Sequence, residues 1–245
     1  MSIAVCITTF NEAATIADLV RSFLRFGYRV IVVDDGSTDK TFDAAFQAGA
    51  VVIQTNGGYG IGPSLMLGWK VALDDPECEA IIQIDAGGSH FPYEHQNLLE
   101  AYRQGAKLVI GSRFVNGAQY IRPRSPVTGK RASWLRPILS RIAAEMCNFA
   151  QSGSCINDWT SGYRVFNRSA IEYLLTKKYY AKMHGWQIEV LAHAQAKGMK
   201  VVERPICYVA GRSSFNRKVA HEAFLTWLHV MNHISWVGSN LDGAE

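Results

Sequence analysis

The sequence predicts an α/β fold, a single domain in which helices flank a mostly parallel central sheet. Strand and helix patterns alternate through the first half of the chain. Two apolar runs end in acidic residues, at Val32-Val33-Asp34-Asp35 and Ile82-Gln83-Ile84-Asp85. Continuous apolar strands are typical of a sheet covered on both faces. Because ligands bind beyond the carboxyl ends of parallel strands, we expect both acidic clusters to face a polar, phosphorylated and metal-bound ligand.

The first half contains repeated strand–helix units. Strands are expected near residues 2–8, 28–33, 50–54, 80–84 and 107–111. Helices are expected from Asn11-Glu12, from a Thr38-Asp39 cap to Gly49, over 63–74, and between the last two strands. Right-handed crossovers of this kind place neighbouring strands parallel.

The pattern changes after Arg113. Residues 114–132 are rich in Gly, Pro, Arg and Lys, which predicts a mobile surface loop. The elements expected next are a helix over 133–150, a polar loop ending at Gly162, a strand–helix–helix–strand run to Tyr208 and an amphipathic helix over 218–237. We find no repeat or linker, so we expect one domain over 1–245.

Composition indicates a globular protein, since 48% of the 245 residues are hydrophobic and 19% are charged. The net charge of +4 suits an anionic substrate or membrane surface, and we expect no nucleic-acid partner. Five scattered cysteines without metal-ligand spacing are typical of reduced thiols in a cytoplasmic protein. With no signal segment and no apolar run of roughly 18–20 residues, we expect a cytoplasmic protein, soluble or peripheral on the membrane face.

The pair Asp34-Asp35 allows two interpretations. One aspartate can simply cap the following helix. Adjacent carboxylates also accept hydrogen bonds from base N–H groups and ribose hydroxyls, and we favour this contact with the nucleoside part of a nucleotide. Asn11 is similarly either a helix cap or part of a grip on a base or ribose.

Asp85 lies where a hard cation bridging a diphosphate could be held, although it could also cap a helix. His90 is better explained as a hydrogen-bonding structural residue than as a metal ligand. The glycine-rich segment 56–62 matches neither GxxxxGK[ST] nor GxGxxG, which argues against P-loop and dinucleotide-binding folds. Simple turn chemistry explains this segment as well as phosphate binding does.

Basic residues are dense after the fifth predicted strand. They could form a solvated face, but their position beside the predicted site favours binding of a second anion. The set is Arg113, Arg122, Arg124, Lys130, Arg131, Arg136 and Arg141.

A series of motifs resembles those of one enzyme family. In the first half they are Thr9-Phe10-Asn11-Glu12, Val33-Asp34-Asp35-Gly36-Ser37-Thr38-Asp39, Gly58-Tyr59-Gly60 with Gly68-Trp69-Lys70-Val71-Ala72, and Asp85-Ala86-Gly87-Gly88-Ser89-His90-Phe91-Pro92. In the second half they are Gly111-Ser112-Arg113-Phe114, Arg136-Pro137-Ile138-Leu139-Ser140-Arg141, Asp158-Trp159-Thr160-Ser161-Gly162-Tyr163-Arg164, Glu203-Arg204-Pro205-Ile206, and Arg212 with Lys218. In this order they resemble family-two glycosyltransferases with the GT-A fold, specifically the dolichol-phosphate mannose synthase-like branch. The resemblance extends from about Ile3 to Lys218.

The resemblance implies an inverting glycosyltransferase that moves a sugar from a nucleoside-diphosphate sugar to a polyprenyl (dolichyl-type) phosphate. It implies a nucleotide-sugar half over 1–112, an acceptor half over 113–217, and a C-terminal helix and tail over 218–245. The donor-binding residues would be Thr9, Phe10, Glu12, Asp34, Asp35, Ser37, Gly60, Asp85, Ala86, Arg212 and Lys218. The acceptor-binding residues would be Arg113, Arg136, Ser140 and Arg164, and the catalytic residues Asp85, Arg113 and Asp158. Asp85 would hold Mg²⁺ or Mn²⁺.

The acceptor class decides whether a base is needed. A phosphate monoester has a second pKa of about 6, so it is largely anionic at neutral pH and needs little help from a base. A sugar hydroxyl would instead require a carboxylate base, for which Asp158 is the candidate.

Gly87 departs from the family pattern, because it stands where the family has a second acidic metal ligand. Asp85 alone could hold the metal, another residue could supply the ligand, or the metal could be dispensable. The chain could also be a non-catalytic nucleotide-sugar-binding protein. Phe215 replaces a usual glycine in the tail motif, and the final helix could lie on a membrane, dock on the domain or form a homodimer contact.

Overall fold

Nine strands and eight α-helices form within residues 2–123, 135–151, 154–210 and 217–234, which the computed structural model describes. The strands are β1 Ser2–Thr9, β2 Arg29–Asp34, β3 Val51–Gln54, β4 Cys78–Asp85, β5 Leu108–Ser112, β6 Gln119–Ile121, β7 Arg164–Asn167, β8 Val201–Pro205 and β9 Cys207–Val209. The helices are α1 Ile16–Leu24, α2 Thr41–Gln47, α3 Ile61–Leu73, α4 His95–Arg103, α5 Leu135–Ala150, α6 Arg168–Leu175, α7 Trp186–Ala196 and α8 Arg217–His233, with a 3₁₀ turn over Pro92–Glu94.

Seven of these strands make the central sheet, in the order β3-β2-β1-β4-β7-β5-β8. Only β7 runs antiparallel to its neighbours β4 and β5, so the prediction of a mostly parallel sheet is confirmed. Thr9 pairs with Asp34, and Thr8 pairs with Asp85. The acidic ends of β2 and β4 therefore lie at the same edge of the sheet. Because β7 begins at Arg164, opposite Gln83, the loop before it reaches that edge too.

Apolar side chains cover both faces of the sheet, as the continuous apolar runs predicted. On one face, the Trp69 ring of α3 lies 5.2 Å from Trp186 of α7 and 4.9 Å from Phe166 of β7. On the other face, Phe23 of α1 is wholly buried within a second apolar cluster. The two layers fix the strand ends relative to each other.

Two expectations need correction. The first helix begins at Ile16 instead of Asn11, which has a positive φ of 55° and accepts a hydrogen bond from the backbone N–H of Thr38 at 2.8 Å. Asn11 thus joins two loops and does not cap a helix. Within the predicted loop 114–132, β6 pairs with β9, while residues 124–134 lie outside the described residues.

The final helix docks on the domain along part of its apolar stripe. Trp227 donates a hydrogen bond from its indole to the Met146 carbonyl of α5 at 3.2 Å, and Val230 is wholly buried. Phe224 remains 51% exposed. Among the described residues, every helix is too short or too polar to cross a bilayer.

We predict that Trp69→Ala lowers the free energy of unfolding by about 3–5 kcal/mol, because it removes the centre of one core layer. The measurement is urea denaturation followed by circular dichroism. Phe46→Ala is the control: its ring is 64% exposed, and it should change stability by less than about 0.5 kcal/mol. Equal effects of the two substitutions would contradict this packing.

Candidate active site

Asp34, the last residue of β2, accepts hydrogen bonds from other residues of the protein and has no exposed surface. One carboxylate oxygen accepts hydrogen bonds from the backbone N–H of Ser37 at 2.9 Å and from its hydroxyl at 2.5 Å. The other accepts a hydrogen bond from the Gln54 side chain at 3.3 Å. Asp34 therefore holds the turn after β2, and its expected contact with the nucleoside stays a prediction.

Asp35 ties the glycine-rich loop to the end of β2. One of its oxygens accepts hydrogen bonds from the Thr55 hydroxyl at 2.7 Å and the Tyr59 N–H at 3.0 Å. The other accepts from the Gly60 N–H at 2.8 Å. The expected donor-binding residues Asp35 and Gly60 thus lie together, and their contact with a ligand stays a prediction.

The loop after β1 carries the expected donor residues Thr9, Phe10 and Glu12. Thr9 is buried, and its hydroxyl has no hydrogen-bond partner among the described residues. The Phe10 ring is 58% exposed. Glu12 is half-buried, and burial, with a smaller effect from Asp39, raises the pKa of its carboxyl group. An exposed ring beside polar groups is a surface suited to a base and its ribose.

Asp85 closes β4 with 49% of its side chain exposed. Its Oδ2 lies 3.4 Å from Nε2 of His90, in agreement with the interpretation of His90 as a hydrogen-bonding residue. Withdrawal from solvent would raise the pKa of Asp85, but the His90 hydrogen bond and the charges of His90, His184 and Arg113 lower it. The carboxylate is therefore ionised at neutral pH and chemically suited to a hard divalent cation.

Gly162 makes this position of Asp85 possible. A Cβ atom at residue 162 would overlap both carboxylate oxygens of Asp85. The Gln83 side chain also donates a hydrogen bond to the Gly162 carbonyl at 3.1 Å. The end of β4 and the loop before β7 thus fit together without space for a larger residue.

Arg113 and Asp158 form a buried, bidentate ion pair. Nε of Arg113 lies 2.7 Å from one carboxylate oxygen, and Nη2 lies 2.6 Å from the other. The backbone N–H of Arg113 donates to the same carboxylate at 2.9 Å, and Nη2 also donates to the Thr160 hydroxyl. The side chains are only 7% and 0% exposed. This pair joins the end of β5 to the loop before β7.

Asp158 is engaged by Arg113 in this structure. Burial would raise the pKa of Asp158, but the charge and hydrogen bonds of Arg113 lower it. Both oxygens already accept hydrogen bonds from Arg113. Asp158 therefore holds Arg113 in position, and its catalytic role stays a prediction.

Two further residues, Glu203 and Arg164, hold the loop that carries Asp158. Glu203 accepts hydrogen bonds from the backbone N–H groups of Asn157 and Asp158, both at 2.9 Å. Arg164 is wholly buried and donates to the carbonyls of Ser161, Gln187 and Trp159. Burial lowers its pKa to about 9. Arg164 holds the loop in this structure, and its expected contact with the acceptor stays a prediction.

A basic cavity of about 360 Å³ opens beside Arg113. Its lining contains three arginines and no carboxylate among the described residues. The lining residues are Arg113, Phe114, Ala118, Tyr120, Arg122, Pro137, Ile138 and Arg141. The guanidinium groups of Arg113 and Arg141 lie 5.1 Å and 5.2 Å from the Phe114 ring. Cation–π contacts of this kind hold arginines in place while leaving N–H donors free for an anion.

The remaining expected residues fall elsewhere. Ser140 is half-buried on α5 and does not line the cavity. Arg212 and the side chains of Arg136 and Lys218 lie outside the described residues.

The sequence did not single out several residues of the site. Tyr208, whose ring lies 5.2 Å from the Arg113 guanidinium, belonged to no motif. Thr160, which accepts a hydrogen bond from Arg113, stood within the motif that begins at Asp158 but was not named as a site residue. Arg122 and Arg141 belonged to the dense basic set but were not among the expected acceptor residues. The position of Arg122 and Arg141 after the end of β5 was the sequence signal that could have assigned them to the site.

We predict that Asp158→Asn destabilises the protein by about 3–5 kcal/mol at neutral pH, because it leaves the buried Arg113 unpaired. Since the folded-state pKa of Asp158 is lowered, its stabilisation is present above the unfolded pKa of about 3.9 and is lost as the pH falls through the folded value. Urea denaturation between neutral and acidic pH should show the difference from wild type shrinking below about pH 4. Asp18→Asn, in an exposed ion pair, is the control and should have little effect.

Comparison with known proteins identifies the family. Residues 4–175 match the family model described as Glycosyl transferase family 2. Polyprenol monophosphomannose synthase of Mycolicibacterium smegmatis is 32% identical over 185 residues, which cover 73% of this chain and 66% of that protein, just under two thirds. Undecaprenyl-phosphate mannosyltransferase of Micrococcus luteus is 30% identical over 234 residues, 91% of each chain.

Solved structures share the fold. Glucosyl-3-phosphoglycerate synthase from Mycobacterium tuberculosis, crystallised with phosphoglyceric acid, has a TM-score of 0.67 at 21% identity, covering 94% of this chain and 80% of that one. The same enzyme with Mn²⁺, UDP-glucose and phosphoglyceric acid has a TM-score of 0.65 at 22% identity, covering 94% and 79%. The chain therefore has the GT-A fold and belongs to glycosyl transferase family 2, as its motifs predicted.

Proposed function

We propose that this chain transfers a sugar, with inversion, from a nucleoside-diphosphate sugar to a polyprenyl phosphate. The observation that carries the proposal is the basic cavity, whose described lining contains Arg113, Arg122 and Arg141 and no carboxylate. An anionic acceptor suits the positive charge of these arginines. Such an acceptor also needs no general base, which agrees with the engagement of Asp158 by Arg113.

The donor would occupy the ends of β1, β2 and β4, so that the nucleotide half is the expected 1–112 and the acceptor half 113–217. Two curated relatives are named as polyprenyl-phosphate mannosyltransferases, and the structural neighbour has been crystallised with UDP-glucose and Mn²⁺. Asp85 would hold Mg²⁺ or Mn²⁺, and its half-exposed, ionised carboxylate fits such a cation. When bound, the cation neutralises the charge that develops on the diphosphate.

The chemistry is a single displacement. An acceptor phosphate oxygen bonds to the anomeric carbon while the bond from that carbon to the diphosphate breaks. The electron pair of the broken bond leaves with the nucleoside diphosphate. Arg113, Arg122 and Arg141 would orient the acceptor by charge-assisted hydrogen bonds, which are among the stronger kinds in proteins.

The polyprenyl chain would follow apolar side chains of α5. Ile138 lines the cavity and is 43% exposed, and Ile142 and Phe149 continue on the same helix face with 52% and 81% exposure. Exposed apolar side chains beside a basic cavity suit a lipid whose phosphate is its polar end. The protein would accordingly work as a peripheral protein at the cytoplasmic membrane face.

The test combines purified protein, Mn²⁺ and undecaprenyl phosphate with UDP-, GDP- or dTDP-sugars, and products are identified by mass spectrometry. We expect a glycosyl polyprenyl phosphate from one donor class and none from undecaprenol, which has no phosphate. Transfer to a sugar hydroxyl instead would favour the other transferase class. Donor binding without turnover on any acceptor would identify a non-catalytic nucleotide-sugar-binding protein.

We predict that Arg141→Gln raises the KM for undecaprenyl phosphate by about tenfold or more, because a charge-assisted hydrogen bond contributes roughly 1.5–3 kcal/mol. Donor affinity, measured by calorimetry with the nucleoside diphosphate, should stay unchanged. Arg25→Gln, at an exposed position on the far end of α1, is the matched control. An unchanged KM in the Arg141 variant would exclude the cavity as the acceptor site.

A further inference from the structure

We infer that Glu12 supplies the second carboxylate of the cation site, the one that the segment Asp85-Ala86-Gly87 lacks. The inference rests on the proposed use of a divalent cation at Asp85. It assigns Glu12, one of the expected donor-binding residues, to the diphosphate end of the donor.

The space at Gly87 carries the inference. A Cβ atom built on Gly87 would lie 3.3 Å from Oε1 of Glu12 and 4.0 Å from its Cδ. The first atom of any side chain at this position would therefore contact the Glu12 carboxylate. A carboxylate at residue 87 and the carboxylate of Glu12 would thus compete for one region, two residues along the chain from Asp85.

Local hydrogen bonds hold Glu12 at this place. Its backbone N–H donates to the Thr41 hydroxyl at 2.8 Å. The Thr15 hydroxyl lies 2.8 Å from the Ala86 carbonyl and 3.4 Å from Oε2 of Glu12, so it connects the glutamate to the Asp85–Gly87 segment. The strands that lead to the two carboxylates are also neighbours, since Thr8 pairs with Asp85.

Glu12 has no positive partner in the part of the chain that the structure describes. No ion pair includes it there, although its side chain is half-buried. A partly buried carboxylate without a cation is costly, and a divalent cation would offset that cost. One or two carboxylates, completed by substrate phosphates and water, are a common ligand set for Mg²⁺.

The length of the Glu12 side chain would allow it to reach this cation. Glutamate is one methylene longer than aspartate, so it can approach the site from the loop after β1 and does not need to follow Asp85 directly. Gly87 and Gly88 are both exposed and carry no side chain to block it. The family's second acidic position and Glu12 would then serve the same cation by different routes.

The experiment measures Mn²⁺ affinity by electron paramagnetic resonance, alone and with UDP or GDP. Glu12→Gln should weaken Mn²⁺ binding by about tenfold or more, the loss that even an outer-shell partner can cause. The double variant Glu12→Gln with Gly87→Asp should recover most of the wild-type affinity. Gly87→Asp alone should not tighten binding, because two carboxylates would crowd one position. Glu100→Gln, exposed on α4, is the control.

Wild-type Mn²⁺ affinity in Glu12→Gln would overturn the inference, and so would a folded double variant without recovery. Weaker binding of metal-free nucleotide by Glu12→Gln, with Mn²⁺ affinity intact, would return Glu12 to a nucleoside contact. Circular dichroism and thermal unfolding establish that each variant folds. Mn²⁺ binding by a wild-type protein that transfers no sugar would count against the proposed function alone, whereas no Mn²⁺ binding by the wild type would overturn this inference.

Discussion

The site depends on one buried ion pair, between Arg113 at the end of β5 and Asp158 in the loop before β7. Both side chains are almost fully withdrawn from water, and each satisfies the other with two short hydrogen bonds. Such a pair is geometrically demanding, because any shift leaves a charge buried without a partner. It joins the end of β5, beside the basic cavity, to the loop whose Gly162 packs against Asp85. The same pair bears on the proposed chemistry, because a carboxylate that accepts from Arg113 with both oxygens is a poor base.

Carboxylates at the donor edge divide into two kinds. Asp34 and Asp35 are occupied by hydroxyl, amide and N–H donors from the protein, and these contacts hold the loops after β2 and β3. Glu12 and Asp85 keep exposed surface and lie on neighbouring strands. Asp35, Glu12 and Asp85 are all half-buried, so the two kinds differ in their hydrogen-bond partners and not in exposure. This division follows from hydrogen-bond geometry. The sequence motifs alone do not distinguish the four carboxylates.

Sequence patterns predicted the sheet well because burial on both faces requires continuous apolar runs, and such runs mark strands such as β1 and β4. The position of acids after those runs predicted the edge where the site lies. Side-chain partners were not predictable in this way. Arg164 and Arg122 have the same charge, yet one is wholly buried under three carbonyl acceptors while the other lines the cavity. Arg164 is buried because it begins β7, which lies antiparallel between β4 and β5. The local sequence pattern did not predict that strand direction.

The two sides of the site have opposite charge, and this asymmetry fits a transfer between two phosphorylated substrates. The donor edge presents Asp85 and Glu12, which would repel a diphosphate unless a cation lies between them. The acceptor cavity presents arginines directly, so a phosphate there needs no metal. A second phosphate entering the donor edge would meet carboxylates, and a metal entering the acceptor cavity would meet arginines. The charge pattern is therefore consistent with the proposed placement of the donor diphosphate at the Asp85 edge and of the acceptor phosphate in the basic cavity.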